Sequence, residues 1–472
     1  MEKIDYQKLG FKCGIECHQQ LSGKKLFCNC PAINSDKQPD IKVERKLRAV
    51  AGELGIIDEA ALHEMQKGKT FIYQSNSEDT CLIEYDEEPP MPMNKELVKT
   101  ALQISVMLNA KIVDEIQVMR KTVIDGSNTS GFQRTALIAR DGFIQTSKGK
   151  VNIPIICLEE EAAQKIKETK EYTIYSLDRL GIGLIEIGTA PDIKDPEHAR
   201  ETAEKLGLIL RSTGKCKRGI GTIRQDINAS IKGHPRIEIK GFQELKSIPK
   251  ILEYEVKREL KELKNNPKPH VRKAEKNFST SFLRPMPGSA RMYPETDVLP
   301  IKPDLSDIKK IETISEKIEK YEKQGLSRDL AKYIAKNKAE IFEEAINKFK
   351  NIKPTFIASK LTSLRDISKK YNIHLDKLID KYVIGVLSYL NEGKISKDIV
   401  DEMIVDKAKG KFDIKKYEIR KVSGGELEKE IKAIIGKKPG LSIGAYMGLI
   451  MAKFKGKISG KEVMDILKKY IK

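Results

Sequence analysis

Glu16, His18 and Gln20 take every second position in the stretch GFKCGIECHQQL, residues 10 to 21, and Phe11, Cys13, Ile15 and Cys17 fill the places between. This alternation is that of a half-buried strand. Its wet face then carries a carboxylate, an imidazole and an amide, spaced about 7 Å apart along the strand. Groups of these types can hold a metal ion, move a proton or orient a polar substrate.

The pattern recurs. GTIRQDINASI sets Arg224, Asp226 and Asn228 against Ile223, Gln225, Ile227 and Ala229. PRIEIKGF sets Arg236, Glu238 and Lys240 against Ile237 and Ile239, Glu186 stands between Ile185 and Ile187, and IICLEEEAA runs into Glu159, Glu160 and Glu161. One such strand is an ordinary solvated face of an antiparallel sheet; five, with His, Asn and Gln among them, predict a site. On one sheet, Glu16, His18, Glu159, Glu160, Glu186, Asp226 and Glu238 would converge, and so many carboxylates need cations. Oxygen donors with one imidazole suit Mg²⁺ or Mn²⁺. Arg224 and Lys240 add fixed positive charge, and the whole fits phosphoryl transfer, where ions and cationic clamps neutralise the transferring oxygens.

Other constellations are smaller. Cys28 and Cys30 form C-x-C, half of a zinc site that Cys13, Cys17 or Cys81 would complete. Cys13 and Cys17 lie on the apolar face of their strand and read as buried thiols. DGSNTSGFQRT places Gly126 and Gly131 at phosphate-loop spacing, with Phe132 and Gln133 where a Walker loop has Lys and Ser/Thr. Ser127, Asn128, Thr129 and Ser130 would offer backbone N–H groups and hydroxyls to a ligand; a plain polar turn is the alternative. His63, His198, His234, His270 and His374 have no ligand-like company.

The elements that must position these groups follow from periodicity. The first 300 residues mix short period-two strands with three helices: one capped by Asn94, one with Pro196 in its first turn, and one from about 247 to 265. This is an α+β pattern with a mostly antiparallel sheet. Residues 265–290, rich in Pro, Asn and Ser, read as a loop. From about Leu305 to Lys411 the period is helical, and a smaller helical module follows, punctuated by glycines at 424, 425, 436, 440, 456 and 460. Three domains are expected, at 1–302, 303–412 and 413–472.

With 472 residues, 39% hydrophobic and 33% charged, the chain is expected to be soluble and multi-domain. No apolar run is long enough for a membrane span and the N-terminus has no secretory h-region, so a cytoplasmic protein without membrane contact is expected. The seven cysteines are then free thiols or metal ligands. Lys and Arg outnumber Asp and Glu by 87 to 68, and the formal charge of +19 points to a polyanionic partner. The excess concentrates at the end, where residues 432–472 hold ten lysines against Glu462 and Asp465. Glycines beside Lys437, Lys438, Lys453, Lys455, Lys457 and Lys461 suit close approach to RNA phosphates.

The stretches GIECHQQLSGKKLFCNC, MRKTVIDGSNTSGFQRTALIA, YSLDRLGIGLIEIGTAPDI, LRSTGKCKRGIGTIRQDINASI and RPMPGSARMYPETDVLPI resemble the GatB/GatE family, that is, archaeal GatE of the Glu-tRNA(Gln) amidotransferases and its bacterial kin GatB. The resemblance runs through residues 8–302 and more loosely through the tail, where IGAYMGLIMAKFKGK matches a YqeY-like module. It implies a cradle-shaped catalytic domain followed by helical domains that grip tRNA. It also implies a two-step reaction: ATP and Mg²⁺ phosphorylate the side chain of Glu esterified to tRNA(Gln), and ammonia then displaces phosphate to give Gln-tRNA(Gln).

Carried onto these residues, the resemblance places Glu16, His18, Glu159 and Glu186 at metal. Glu160, Asp226, Asn228 and Glu238 fall at other active-site positions, and Lys240 and Arg224 at phosphate or transition-state charge. Nothing here resembles a glutaminase nucleophile with its base, so the resemblance implies ammonia from an asparaginase-like partner, GatD, in a heterotetramer. Two departures stand out. About fifteen residues replace the synthetase-like insertion usual before FLRPMPGSA, and Cys157 stands where bacterial GatB has His. A non-catalytic tRNA-binding protein and a metal-dependent RNA phosphodiesterase are the alternative readings.

Overall fold

The computed structural model describes residues 4–33, 37–46, 55, 57, 62, 65–123, 125–242, 244–286, 292–417, 424–453 and 460–471. It separates into two compact units, Met1–Thr313 and Ile314–Lys472. The α+β expectation holds: a large, mostly antiparallel sheet fills the first unit, and helices make up the second.

The centre of the sheet is β1 (Lys12–Gln20), between β10 (Gly183–Gly188) and β11 (Ile223–Ser230). Beyond β11 come β12 (Ile237–Phe242), β13 (His270–Ala274) and β14 (Thr280–Pro285). Beyond β10 come β7 (Gly149–Glu160), β6 (Phe132–Thr146), β5 (Val118–Thr122) and β15 (Met292–Pro294), with β4 (Lys111–Ile112) also on β6. A second sheet has the order β2 (Ile41–Arg45), β3 (Thr70–Ser75), β9 (Tyr172–Ser176) and β8 (Gln164–Glu168).

Three helices cover one face of the large sheet. They are α1 (Lys95–Met107), capped by Asn94 through a bond from Glu96 N, α2 (Pro196–Ser212), capped by Asp195, and α3 (Ile248–Glu262). Their apolar stripes meet Cys13, Ile15, Cys17, Ile185, Ile187, Ile227 and Ile239 in one core. Each fully buried Ile or Leu there contributes about 1.5–3 kcal/mol. The closeness of the helical layer is visible at Gly183, where a Cβ would meet Leu97 at 2.5 Å. The opposite face of the sheet has no helix of this layer against it and carries the polar positions.

The stretch expected as a loop at 265–290 is largely a hairpin. β13 runs parallel to β12 and turns back into β14. Arg272 fixes the pair by donating to Thr280 Oγ1 (2.7 Å), which in turn donates to the buried Glu255 (2.6 Å). Pro and Asn are confined to the ends, with Asn266 and Phe278 in left-handed turns; the segment between is short enough that its Val and Phe give no clear period. Residues past 302 stay tied to the first unit, since Lys99 Nζ lies 3.2 Å from Asp307.

In the second unit, seven helices run from α4 (Ile314–Lys323) to α10 (Val400–Ala408). The last three, α11 (Gly424–Lys437), α12 (Ile443–Lys453) and α13 (Gly460–Tyr470), enclose a small core of their own around Ile431, Tyr446, Ile450, Val463 and Leu467.

Candidate active site and metal centre

Strand register assembles the site. On β1, Glu16 faces Asp226 and Gly188, and His18 faces Arg224 and Glu186. Directly opposed residues in antiparallel strands share a face, so these groups all stand on the side away from the helices. Glu238 joins them opposite Asn228, Cys157 opposite Glu186, and Glu159 opposite Leu184.

The contacts are close. His18 Nε2 lies 3.4 Å from Glu186 Oε2, Asn228 Nδ2 donates to Glu16 Oε1 at 3.0 Å, and Lys240 Nζ donates to Asp226 Oδ2 at 2.7 Å and also meets Glu238. Two triads have donor atoms within 4.8 Å of one another: Glu16, His18 and Glu186, and Glu16, Asp226 and Glu238. Glu16 belongs to both, so two ions could share it.

The electrostatics are those of a cluster short of positive charge. Burial, then repulsion from Glu186 and Glu238, raises the Glu16 carboxyl above its ordinary value. Burial and Glu186 likewise lift Glu159 to about 7. Burial opposes ionisation of Glu186 as well, but the hydrogen bond from His18 and the charge of Lys121 hold it well below the carboxylate range. For His18, burial disfavours the imidazolium, yet the bond and charge of Glu186 prevail and its pKa is raised. A divalent ion between Glu16 and its neighbours would relieve that repulsion, and hard carboxylate oxygens with one imidazole fit Mg²⁺.

Three sets of expected residues make their contacts elsewhere than among the clustered carboxylates. Glu160 does not join the cluster: it pairs with Gly183, on the helical side, and accepts from Arg134 N (3.0 Å). It closes a buried ion network in which Arg134 and Arg120 both hold Glu295. Successive strand residues point to opposite faces, so Glu159 and Glu160 could not both enter one site. Arg224 shares the face, but its guanidinium donates to Glu161 at 2.9 Å, and Gln20 bonds the other oxygen of that carboxylate. Three of the four side chains of the 127–130 loop bond within the protein, whereas the buried Asn128 Nδ2 has no hydrogen-bond partner among the described residues. Ser127 bonds Asp125, Thr129 bonds Glu84 O, Ser130 bonds Phe132 O, and Asn128 and Thr129 are buried. Gly126 lies against Phe71, where a Cβ would be 2.3 Å from the ring. The cavity beside the loop holds about 10 Å³, room for one water and not for a nucleotide.

The alternation patterns give no sign of Lys121. Its Nζ reaches from β5 across β6 and β7 to Glu186 (3.4 Å), passing Glu159 at 3.6 Å. The attraction of Glu159 and Glu186 outweighs burial and holds it protonated. Alternation within VMRKT gives the side of the strand, but not a reach over intervening ones.

A second constellation lies apart from the carboxylates. Cys28, Cys30, Cys81 and Glu84 bring one donor atom each to within 4.8 Å of one another. Cys81 thus joins the C-x-C motif, Glu84 is a fourth donor, and Cys13 and Cys17 stay in the core. Three thiols and one carboxylate at this spacing fit Zn²⁺. The fully buried Lys25 lies 3.3 Å from Glu84 and offsets part of the charge such a set carries.

Among the tail lysines, Lys437, Lys438 and Lys453 are exposed, the last paired with Glu430 at 2.5 Å. Lys455 and Lys457 lie outside the described residues, as does the side chain of Lys461. Among the described residues no helix is long and apolar enough to cross a membrane.

Residues 11–309, the sheet with all of its clustered carboxylates, match the GatB/GatE catalytic domain. The chain belongs to the GatB/GatE family. It is 36% identical to GatE of the glutamyl-tRNA(Gln) amidotransferase of Methanocaldococcus jannaschii, with 100% of both chains covered. The GatE proteins of Saccharolobus solfataricus and Archaeoglobus fulgidus are 35% and 34% identical, each with 99% or more of both chains covered. The first of these alignments extends over 628 positions, against 472 residues here, so that GatB/GatE relative carries sequence without a counterpart in this chain.

Proposed function

We propose that this chain is the component of a tRNA-dependent amidotransferase that converts Glu-tRNA(Gln) to Gln-tRNA(Gln), using ATP. The observation that carries the reading is the convergence of Glu16, His18, Glu186, Asp226, Glu238, Lys240 and Lys121 on one face of a GatB/GatE catalytic sheet. A carboxylate accepts ammonia poorly, and its phosphoryl ester accepts it well. Glu16, His18 and Glu186 would hold Mg²⁺, with Glu16, Asp226 and Glu238 as a second set; the ions when bound would neutralise phosphate oxygens.

The chain's own side chains do the rest. Lys121 and Lys240 are fixed cations that screen the approach of an anionic substrate carboxylate to an anionic pocket. Asn228 orients Glu16, and Glu186 orients His18. Glu159, raised to about 7, can take up or release a proton near neutral pH. The Cys28, Cys30, Cys81 and Glu84 set is assigned to structural Zn²⁺. Ammonia comes from a partner, which we assign to an asparaginase-like protein. The exposed lysines of the last helices are assigned to tRNA backbone contact.

Incubating the purified chain with Glu-tRNA(Gln), ATP, Mg²⁺ and ammonium chloride tests the reading. Gln-tRNA and ADP should form without any partner. Unchanged Glu-tRNA would point to a non-catalytic tRNA-binding role, and cleaved RNA to a phosphodiesterase.

A further inference from the structure

The polar face of the sheet does not end at the carboxylates. Next to Glu16 and Asn228 it opens into a groove of about 380 Å³ that runs toward the start of β1. Gly188 bears no side chain on the floor, and a Cβ there would press on Ile155 at 3.1 Å; at Gly14 a Cβ would meet the Thr189 carbonyl oxygen at 3.0 Å, so the backbone of residues 189–190 edges the groove there. Ile155 and Pro191 give the groove apolar walls. Lys12 and Arg236 stand on its lining, both exposed and neither with an ion-pair partner among the described residues.

We infer that this groove receives the 3′-terminal nucleoside of the aminoacylated RNA, with the phosphate 5′ to that nucleoside on Lys12 and Arg236. The inference rests on the activity proposed above and assigns one of its substrates to a place. Two arguments favour the RNA end over the nucleotide co-substrate. The first is the order of charges. The site reads carboxylate and lysine cluster, able to hold divalent ions, then apolar slot, then cations. An aminoacyl-RNA end reads carboxylate, then neutral nucleoside, then phosphate. In ATP the charge is all at one end, so seating its phosphates at the ion cluster would leave the two distal cations facing a neutral base.

The second is length. From the side-chain carboxyl carbon of an esterified Glu to the 5′ phosphorus of its nucleoside there are about ten bonds, on the order of 12 Å extended. From Glu16 to Lys12 the strand advances four residues, about 13 Å. The spans agree, so a carboxylate at Glu16 puts the phosphate at Lys12.

The test is binding of a non-hydrolysable, 3′-amide-linked glutamyl-adenosine, with and without a 5′-phosphate, measured by calorimetry in Mg²⁺ buffer. Wild-type protein should bind the phosphorylated form about tenfold or more tightly, as expected for charge-assisted contacts. The double variant Lys12→Ala/Arg236→Ala should lose that preference and keep its affinity for ATP. Both changes are on exposed side chains, so the fold is not at stake. An undiminished preference in the double variant, or a loss of ATP affinity instead, would overturn the assignment. Wild-type protein that shows the preference but makes no Gln-tRNA would unseat the activity and support the groove.

Discussion

Glu259 offers a sharp physical test, away from the candidate site. It lies on the buried face of α3 with no exposed surface, and neither of its carboxyl oxygens has a hydrogen-bond partner among the described residues. It sits 3.9 Å from His234 Nδ1, which itself lies 2.9 Å from Pro235 O. Burial, then repulsion from Glu255, raises its pKa from 4.5 to about 8, against the opposing pull of Arg258. A carboxyl whose folded pKa is raised stabilises the fold only while protonated, so that contribution is lost as pH climbs between these two values. At about 1.4 kcal/mol per unit, the loss is on the order of 4 kcal/mol by pH 8. Glu259→Gln keeps shape and removes the ionisation. The variant should therefore match wild type near pH 4 and exceed it by about 2–4 kcal/mol at pH 8. The assay can be confined to the right unit. All seven cysteines lie between residues 13 and 216, so pulse labelling with dithiodipyridine across a urea series reports the first unit alone. An offset equal at both pH values would show that burial does not hold this carboxyl neutral.

Three further outcomes are expected. Glu186→Gln should abolish formation of Gln-tRNA, because His18 and Lys121 both lose their anchor, while filter-binding affinity for tRNA stays within about twofold; weakened tRNA binding with normal turnover per complex would remove Glu186 from the site. Cys81→Ser should lower zinc content, read by mass spectrometry of purified protein, and reduce the melting temperature, whereas Cys13→Ser should leave zinc in place. Truncation after Gly424, which deletes the last three helices, should raise the KM for tRNA and flatten its dependence on salt; an unchanged KM would assign those lysines to solubility.

The chemistry of the site is legible where strand alternation alone decides it. Period two places Glu16, His18, Asp226, Asn228, Glu186 and Glu238 on polar faces, and the same alternation buries Cys13 and Cys17. What alternation does not carry is register between distant strands. Glu159 and Glu160 are adjacent, so one must leave the cluster, and only the pairing of Glu160 with Gly183 shows which. Lys121 is invisible in the sequence because its contacts cross other strands. Cys81 is one of three candidates for the thiol centre until folding brings it beside Cys28 and Cys30. The hairpin of β13 and β14 is hidden by its Pro and Asn content, and its parallel partner β12 reaches it only through α3, a connection that no local pattern announces.

The position of β1 has a consequence for how the molecule is made. β1 precedes both of its sheet neighbours, β10 and β11, in the chain and yet lies in the middle of the sheet. It therefore waits, alternating face exposed, until Ser230 has been synthesised. Pairings this distant in sequence form slowly and leave apolar edges open meanwhile. The nascent chain is at its most adhesive while the roughly two hundred residues between β1 and β11 are being made, and helpers that shield unpaired strands during translation would matter more to its yield than to the stability of the finished protein.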